Sequence, residues 1–309
     1  MDALTDILRQ LRLKGTVYFR HRFARPWGMR VGAGPCAQFH ILVRGHAIWR
    51  SHAGVAIEAH ELSSGDVLVF PRGAGHDLMS DSTAPLSDGR EVVTAIVNGT
   101  RQFDGHEVSA ELICGHFEYA GSESHPLLTS LPDSIHVAAT MAERPGSALS
   151  LASLLADELG GEAPGDELVR ERLAEALFVQ VIRAYVQERR PETGFLAALH
   201  DPRIGRALSH IHGSLDTPST LAGLAEVAGM SRSTFADRFR LLVGATPMAY
   251  AEYWRLSQAR ERIEATNEPL SRIADAVGYR SQASFHRAFK RRFGISPGRL
   301  RRSQAAPPG

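Results

Sequence analysis

The sequence predicts an α+β chain in which a β-rich N-terminal half is followed by an all-helical C-terminal domain. Between Thr16 and Tyr119 the chain is a series of short runs rich in β-branched and aromatic residues, separated by glycine and other turn residues. After residue 200 the apolar residues recur at helical spacing, and one helical pattern occurs twice. These two observations define the fold class.

The repeat in the C-terminal part begins at Leu221 and again at Leu270. The aligned positions are Leu221 with Leu270, Leu224 with Ile273, Ala225 with Ala274, Ala228 with Val277, and Gly229 with Gly278. After the turn the offset grows by one residue, and the matches are Phe235 with Phe285, Phe239 with Phe289, Gly244 with Gly294, and Pro247 with Pro297. A repeat whose slip falls at a turn indicates one supersecondary motif that is used twice.

Each copy has the pattern of a helix-turn-helix motif. Gly229 and Gly278 end a short helix where positive φ is favoured, and Ser231 and Ser281 are placed to cap a second helix. The second helix carries a stripe of phenylalanines and, on the opposite face, polar and cationic side chains. Such a helix fits the major groove of DNA. The alternative interpretation is an ordinary helix pair whose cationic face is merely solvated.

The spacing also predicts which side chains bind DNA. Those expected to face the groove are Arg232, Ser233, Thr234 and Arg238 in the first copy, and Gln282, His286 and Arg287 in the second. Those expected to contact phosphate are Arg280 and Lys290.

The segment Leu221–Leu300 resembles the AraC-type DNA-binding domain, above all in SQASFHRAFKRRFGISP, which begins at Ser281. The stretch Pro247–Thr266 resembles the linker helix of that family. The resemblance implies two helix-turn-helix motifs on one rigid connector that bind successive major-groove segments of double-stranded promoter DNA. A helix of about twenty residues spans about 30 Å, and successive major-groove faces lie about 34 Å apart.

Charge is unevenly distributed along the 309 residues. Residues 201–309 hold 17 Lys and Arg against 9 Asp and Glu, a net of +8, and residues 1–200 hold 18 against 25, a net of −7. We therefore expect only the C-terminal domain to meet nucleic acid. A purely structural nucleoid binder would not explain the acidic half.

The sequence favours a cytoplasmic protein that does not enter a membrane. Two cysteines cannot build a disulfide framework, which points to a reducing compartment. We expect no signal peptide, because no apolar run follows a basic start. We expect no transmembrane helix, because no apolar stretch is long enough to span a bilayer.

The N-terminal half begins with a candidate amphipathic helix at Met1–Arg12 and continues with short strands. The predicted strands are Val17–Phe19, Phe39–Val43, Ala47–Arg50, Val67–Phe70, Val92–Val97 and Leu112–Tyr119. Several short strands at near-regular spacing predict a sandwich or a small barrel.

Two segments in this region resemble the cupin motifs. Gly65–His76, GDVLVFPRGAGH, is similar to the second motif, and Phe39–Gly45, FHILVRG, is similar to the end of the first. The whole region resembles the cupin sensor domains that precede AraC-type modules, including those of the reactive-chlorine-responsive regulators. The resemblance implies a β-barrel around one cavity. By count, the paired histidines of the usual first motif fall at Gly32 and Gly34 and its glutamate at Gln38, so the enzymatic metal triad is incomplete.

The candidate metal ligands in this cavity are His40, His76, Cys114 and His116. Cys114 and His116 alternate onto one face of their strand, and the cupin resemblance brings that strand near the other two residues. Imidazoles and a thiolate suit a tetrahedral zinc site, so zinc is the expected cofactor. Cys114, held as a thiolate, and Cys36 are the candidates for redox sensing. The alternatives are a Cys114 that is only a small buried hydrophobe and a cavity that binds an organic effector.

Two helices are predicted after the barrel, at residues 148–159 and 166–188. The second has an apolar face that includes Leu173, Leu177 and Val181. This face either packs on the barrel or pairs with a second copy, and the family resemblance favours a homodimer. The predicted boundaries are 1–145 for the cupin-like sensor domain, 146–190 for the helical pair, 191–200 for a linker, 201–302 for the DNA-binding domain and 303–309 for a disordered tail.

The leading hypothesis is a sequence-specific DNA-binding transcription regulator, not an enzyme, whose cupin domain senses a small molecule, a metal or an oxidant. The alternative is a cupin metalloenzyme with an appended regulatory helical domain. The glycines at positions 32 and 34 argue against this alternative, and no nucleophile with a neighbouring base is recognisable in the sequence.

Overall fold

The computed structural model describes residues 3–52, 58–100, 103, 107–119, 125–139, 148–161, 163–188 and 193–305. The chain divides into two compact units. The barrel unit is Arg12–Arg189, and the helical unit is Met1–Leu11 together with Arg190–Gly309. The α+β fold class predicted from the sequence is confirmed.

The elements are numbered along the chain. The helical unit contains α1 (Ala3–Gln10), α6 (Gly194–His200), α7 (Pro202–Gly213), α8 (Leu221–Ala228), α9 (Arg232–Val243), α10 (Pro247–Ala265), α11 (Leu270–Ala276), α12 (Gln282–Phe293) and α13 (Pro297–Ala305). The barrel unit contains β1 (Leu13–Ala24), β2 (Gly28–Val31), β3 (Ala37–Ser51), β4 (Ala59–Ser63), β5 (Val67–Phe70), β6 (His76–Met79), β7 (Ser87–Asp88), α2 (Gly89–Val97), β8 (Val108–Tyr119), α3 (Pro126–Ser130), β9 (Ile135–Val137), α4 (Ala148–Glu158) and α5 (Asp166–Glu188). Among the described helices, none combines the length and the low polarity that crossing a membrane requires.

The sheet of the barrel unit is organised around the long strand β3. The first half of β3 pairs with β8 and β5, and the second half pairs with β4 and β6, in each case antiparallel. Between the halves the register with β8 shifts, and Gly45 has a φ of 93°, which favours glycine. The strands predicted at Phe39–Val43 and Ala47–Arg50 are therefore one strand. The change of partners along it gives a curled sheet, with the order β1-β8-β3-β6-β2-β7 along its main path.

The two faces of this sheet bury different sets of side chains. The inner face holds an apolar core that includes Leu42, Phe70 and Cys114. On the outer face Phe39 and Phe117 stack with ring centroids 4.7 Å apart, and Phe178 of α5 lies 5.0 Å from Phe117. Helix α5 therefore covers the outer face of the β3–β8 pair.

The packing of α5 corrects the expected dimer surface. Leu177 and Val181, which were candidates for contact with a second copy, are fully buried within the chain. The helix packs against α4 and against strands β1 and β9. Because Leu177 and Val181 are buried by other elements of the same chain, they are not available to a partner.

The strand predicted at Val92–Val97 is wrong, because these residues belong to helix α2. Its N-cap is Asp88, whose carboxylate accepts two hydrogen bonds from backbone N–H groups of the first turn. The β-branched run favours a strand locally, but the cap starts a helix. Val92 is fully buried in the core beneath it.

Helix α1 departs from the predicted boundary of 1–145 for the sensor domain. It packs within the helical unit, against α7 and α10. Ile7 is fully buried there, and Oδ2 of Asp6 lies 3.6 Å from Nδ1 of His212 in α7. A short amphipathic helix needs a partner for its apolar side, and this one finds it in residues about 200 positions away in sequence.

The linker predicted at 191–200 is also corrected. Gly194–His200 form α6, whose Phe195, Leu196 and Ala198 are buried in the helical unit. Residues 189–192 lie outside the described residues. At the other end α13 runs to Ala305, so the tail predicted at 303–309 begins inside a helix, and residues 306–309 lie outside the described residues.

The two helix-turn-helix motifs form as their caps and glycines predict. Gly229 and Gly278 have φ values of 64° and 75° at the turns. Ser231 and Ser281 each accept a hydrogen bond from the backbone N–H three residues further on. Helix α10, of 19 residues, joins the motifs where the connector was predicted.

Candidate functional site

The second helices of the two motifs, α9 and α12, are built alike. Phe235 and Phe239 are fully buried in α9, and Phe285 and Phe289 are fully buried in α12. Each stripe fixes the rotation of its helix and turns the opposite face outward. The predicted DNA-binding side chains that are exposed are Arg232, Ser233, Thr234, Arg238, Arg280, Gln282, Arg287 and Lys290.

Arg238 is exposed but already has a protein partner. Its Nε and Nη2 lie 2.6 Å and 2.5 Å from Oδ2 of Asp201. Asp201 also caps α7 by accepting from the backbone N–H groups of Ile204 and Arg203. Burial alone would raise the pKa of Asp201, but the bonds from Ile204, Arg238 and Arg203 outweigh it and lower the pKa. The ion pair ties α9 to the start of α7. The contact of Arg238 with a base stays a prediction.

His286 is more enclosed than the sequence suggests. Its Nε2 is buried and has no hydrogen-bond partner among the described residues. Its ring meets that of Phe285 edge-on, with centroids 5.9 Å apart. This side chain therefore packs beside the phenylalanine stripe, whereas Arg287 points outward.

The barrel unit brings three of the four predicted metal ligands together. His40 in β3 and Cys114 in β8 are cross-strand partners, and His76 begins β6. Nδ1 of His40 lies 3.1 Å from Sγ of Cys114, and Nε2 of His40 lies 2.8 Å from Nε2 of His76. All three side chains are buried, and Phe70 stacks on His76 with ring centroids 3.6 Å apart. We refer to His40, His76 and Cys114 as the buried triad.

The hydrogen-bond partners assign one proton to each of the two contacts within the buried triad. Nδ1 of His76 lies 2.9 Å from the carbonyl oxygen of Ala74, so it carries a proton and donates it. Nε2 of His76 is then an acceptor, and the Nε2–H of His40 donates to it. Nδ1 of His40 is left to accept from the thiol of Cys114. The buried triad is thus a chain of neutral groups.

Burial favours this neutral state. Desolvation raises the pKa of the Cys114 thiol far above its ordinary value. Desolvation and the neighbouring His76 lower the pKa of His40 well below its usual range, and desolvation lowers the pKa of His76 to about 4. A thiol that stays protonated is a poor nucleophile. In this arrangement Cys114 is not the reactive thiolate that redox sensing needs, while Cys36 is less deeply buried.

The donor set of the buried triad suits zinc, but its arrangement is a hydrogen-bonded chain. Zinc takes neutral imidazoles at about 2.0–2.1 Å and thiolate at about 2.3 Å, so ligand atoms on one tetrahedral ion lie about 3.3 Å or more apart. The two Nε2 atoms are 2.8 Å apart, and His40 offers a different nitrogen to each neighbour. Metal binding therefore requires that Cys114 lose its proton and that His40 turn one nitrogen towards both partners.

His116, the fourth predicted ligand, belongs to a different group. Its ring stacks on Tyr18 with centroids 5.1 Å apart, and its Nε2 lies 3.3 Å from Oε1 of Glu118. One ligand atom from each of Cys36, His116 and Glu118 lies within 4.8 Å of the others. The predicted set of four is corrected accordingly, because His116 lies with Cys36 and Glu118.

Asp77, beside the buried triad, was missed by sequence reasoning. Its buried carboxylate lies 3.1 Å from Nε of Arg30, 3.0 Å from Nη2 of Arg50 and 3.0 Å from Nε2 of His52. Burial alone would raise the pKa of Asp77, but the hydrogen bond from Arg30 and the interaction with His52 lower it. This cluster ties β2, β3 and β6 together next to His76. In the sequence, the signal that could have pointed to Asp77 is a charged residue directly after a histidine at the start of a strand.

Two known protein families together match most of the chain. The family described as Cupin matches residues 2–187, and the family described as Helix-turn-helix domain matches residues 224–303. An AraC-like transcription regulator of Streptomyces antibioticus is 32% identical over 305 residues, which cover 98% of this chain and 99% of that protein. The regulator AlkR of Acinetobacter baylyi is 30% identical over 312 residues, 96% of this chain and 98% of that protein. The transcriptional activator RclR of Escherichia coli, named as specific for RCS, is 28% identical over 310 residues, 97% of each chain.

The fold and the matched regions define a cupin domain followed by a helix-turn-helix DNA-binding domain. The chain belongs to the AraC-type transcription regulators that carry an N-terminal cupin domain. Both resemblances drawn from the sequence, at Leu221–Leu300 and at the cupin motifs, are confirmed.

The low pKa of His76 predicts that the metal-free protein loses stability in mild acid. An unfolded histidine has a pKa of about 6.5, so between about pH 4 and pH 6.5 the unfolded chain binds a proton that folded His76 does not. The free energy of unfolding therefore rises with pH through this window and levels off above it. From pH 7.5 to pH 5, His76 should account for a loss of about 2 kcal/mol in urea denaturation with a chelator present.

Two variants check this assignment. His76→Gln removes the titration and should reduce the pH dependence by that amount, although it lowers stability at neutral pH. His46→Gln, at an exposed position of the same β3 that carries His40, should leave the dependence unchanged. If wild type and His76→Gln showed the same dependence, folding would not lower the pKa of His76.

Proposed function

We propose that this chain is a sequence-specific DNA-binding transcription regulator whose barrel senses a chemical signal at the buried triad. The observation that carries the first part is the pair of capped helices α9 and α12, each with a buried aromatic stripe and an exposed polar face. Helix α10 has 19 residues, or about 29 Å. This is close to the spacing of about 34 Å between successive major-groove faces. Double-stranded promoter DNA is the partner that this arrangement fits.

The proposed roles follow from exposure and from existing partners. The side chains proposed to contact base edges are Arg232, Ser233, Thr234, Gln282 and Arg287. Arg280 and Lys290 are proposed to contact phosphate. Arg238, held by Asp201, and His286, packed beside its stripe, are proposed to position the two helices.

Replacing Arg287 by Ala should weaken binding to the preferred site by about 1–3 kcal/mol and relax preference at one base position. The reason is that an exposed guanidinium in the first half of α12 can donate two hydrogen bonds to one base. Binding is measured on a library of duplexes in which each position of the site is varied, at fixed salt.

Lys290→Ala is the contrasting variant, since a phosphate contact carries no sequence information. It should weaken binding about equally on all duplexes and reduce the salt dependence by about one counterion. Arg183→Ala, at an exposed position of α5, should change neither property. If Arg287→Ala weakened all duplexes equally, Arg287 would be only a phosphate contact.

For the barrel we propose zinc as the cofactor of the buried triad. Two neutral imidazoles and one thiol lie in contact inside the core, and these are donor types that zinc accepts. Zinc bound by His40, His76 and Cys114 would hold Cys114 as its thiolate, the form that oxidants attack. The signal would then be an oxidant or the metal itself. A barrel that carries no metal is expected to bind an organic effector instead.

Metal analysis tests this proposal. Protein purified without added metal should contain zinc, and Cys114→Ser and His76→Ala should each contain about one equivalent less, because each loses a ligand of the buried triad. His60→Ala, at an exposed position of β4, should match wild type. A wild type without zinc, or full zinc content in both variants, would contradict the proposed cofactor.

We infer that the protein is not an enzyme. Gly32 and Gly34 stand where cupin enzymes carry paired histidines, and Gln38 stands in place of their glutamate. The relatives reported above are regulators by name.

We further propose a homodimer whose contact involves the apolar side chains that α4 and α5 leave exposed. Leu154 and Leu168 are 52% and 56% exposed. Two linked DNA-binding domains would gain affinity for paired sites through effective concentration. Sedimentation of the DNA-free protein at micromolar concentration should show a dimer that Leu168→Glu converts to a monomer. A monomeric wild type would contradict this assembly.

A further inference from the structure

The inner face of the β3–β8 pair carries polar residues in successive cross-strand rows. His40 pairs with Cys114, and Gln38 pairs with His116. Residues two apart in a strand share a face, so these two rows lie side by side. Cys36 directly precedes β3, and its neighbour Ala37 pairs with Phe117, which brings Cys36 opposite Glu118. The group Cys36, His116 and Glu118, which we call the rim cluster, therefore follows the buried triad along the same two strands.

The rim cluster is close to the size of a metal coordination sphere. One ligand atom of each of its three residues lies within 4.8 Å of the others. Nε2 of His116 and Oε1 of Glu118 are 3.3 Å apart. Ligand atoms on one tetrahedral zinc ion, with bonds of about 2.0–2.3 Å, are about 3.3–3.6 Å apart. Small movements of these side chains would therefore complete the geometry.

Two buried polar atoms beside the rim cluster lack hydrogen-bond partners among the described residues. They are Nδ1 of His116 and Oε1 of Gln38, which occupy one cross-strand row. Buried polar atoms are nearly always satisfied, so this row is incomplete without a ligand. A metal on one imidazole nitrogen would supply a partner to His116. Gln38 offers the acceptor that the second nitrogen of a metal-bound histidine usually needs.

The surroundings also hold the rim cluster in place and leave it open. Tyr18 stacks on the ring of His116 with an interplanar angle of 24°, which limits its rotation. The side chain of His116 is 14% exposed, whereas that of Glu118 is 57% exposed. The cluster thus has a buried nitrogen side and a solvent side, as a three-ligand site with an open fourth position requires.

We propose that Cys36, His116 and Glu118 form a second metal site, distinct from the buried triad, which binds Zn²⁺ with three protein ligands and one open position. One thiolate, one imidazole and one carboxylate are a donor set typical of zinc. This site does not depend on whether the buried triad binds metal, because the two groups share no residue. It is also independent of DNA binding by the helical unit.

Cobalt substitution tests the proposal, because Co²⁺ takes zinc sites and its near-ultraviolet charge-transfer band reports a bound thiolate. The chain has two cysteines, so in full-length Cys114→Ala any such band must come from Cys36. We expect this variant to show the band and to bind one Zn²⁺ in competition with a chromophoric chelator. Loss of even an outer-shell partner typically costs about 10–100-fold in affinity. In this background His116→Asn, which removes the ligand imidazole, should therefore weaken Zn²⁺ binding by about 100-fold or more. Glu118→Gln, which keeps a neutral oxygen at the same place, should weaken it by about 10-fold.

Matched controls are His46→Asn and Glu61→Gln, both at exposed positions of the barrel unit, which should leave affinity unchanged. Cys36→Ala in the wild-type background covers the case in which Cys114→Ala does not fold, and it should reduce the thiolate band and the metal content by one site. Absence of the band in folded Cys114→Ala would overturn the proposal. So would a band and affinity that His116→Asn leaves intact, or full metal content in Cys36→Ala.

Discussion

The antiparallel pairing of β3 with β8 is the constraint on which the barrel unit depends. Its register sets His40 against Cys114 and Gln38 against His116 on the inner face. The same register sets Phe39 and Phe117 on the outer face, where α5 covers them. A slip of one residue would exchange the faces, placing the aromatic rings in the inner core and the imidazoles under the helix. The polar chemistry and the packing of α5 are therefore two consequences of one hydrogen-bond register.

The apolar surroundings of the β3–β8 pairing keep the three side chains of the buried triad neutral. Desolvation holds Cys114 as a thiol and both imidazoles neutral, so each of the two hydrogen bonds within the buried triad contains one proton. Such a chain responds to anything that removes a proton from it or inserts a cation into it, because a charge left unpaired in the core is costly. In the proposed sensing role, a change at His40 or Cys114 would act on the β3–β8 pairing, because the two residues are cross-strand partners.

The parts of the fold that the sequence could predict are those determined by local interactions. The caps at Ser231 and Ser281 and the glycines after α8 and α11 act within a few residues, so both helix-turn-helix motifs were predictable. Long-range contacts were not. The packing of α1 on α7 and α10 and the ion pair between Asp201 and Arg238 join residues whose proximity has no local signal. At Val92–Val97 the β-branched composition was misleading, because the N-cap at Asp88 starts a helix there.

The candidate site was predictable in membership but not in arrangement. Strand alternation correctly put Cys114 and His116 on one face, but residues two apart in a strand are separated by about 6.6 Å. Each of the two meets its own cross-strand neighbours: Cys114 contacts His40, whereas His116 lies with Cys36 and Glu118 in the rim cluster. The sequence also contains no information on which nitrogen of His40 meets which neighbour. This choice separates a hydrogen-bonded chain from a converged metal site.

The tautomers of the two buried imidazoles test the central claim, that a neutral proton chain occupies the β3–β8 core. Long-range ¹H–¹⁵N correlation spectra of ¹⁵N-histidine protein, kept metal-free at neutral pH and assigned with His40→Gln and His76→Gln, distinguish the ring nitrogens of each residue. We predict that His40 is protonated at Nε2 and His76 at Nδ1, with both rings neutral. A charged ring at either position, or His40 protonated at Nδ1, would contradict the account.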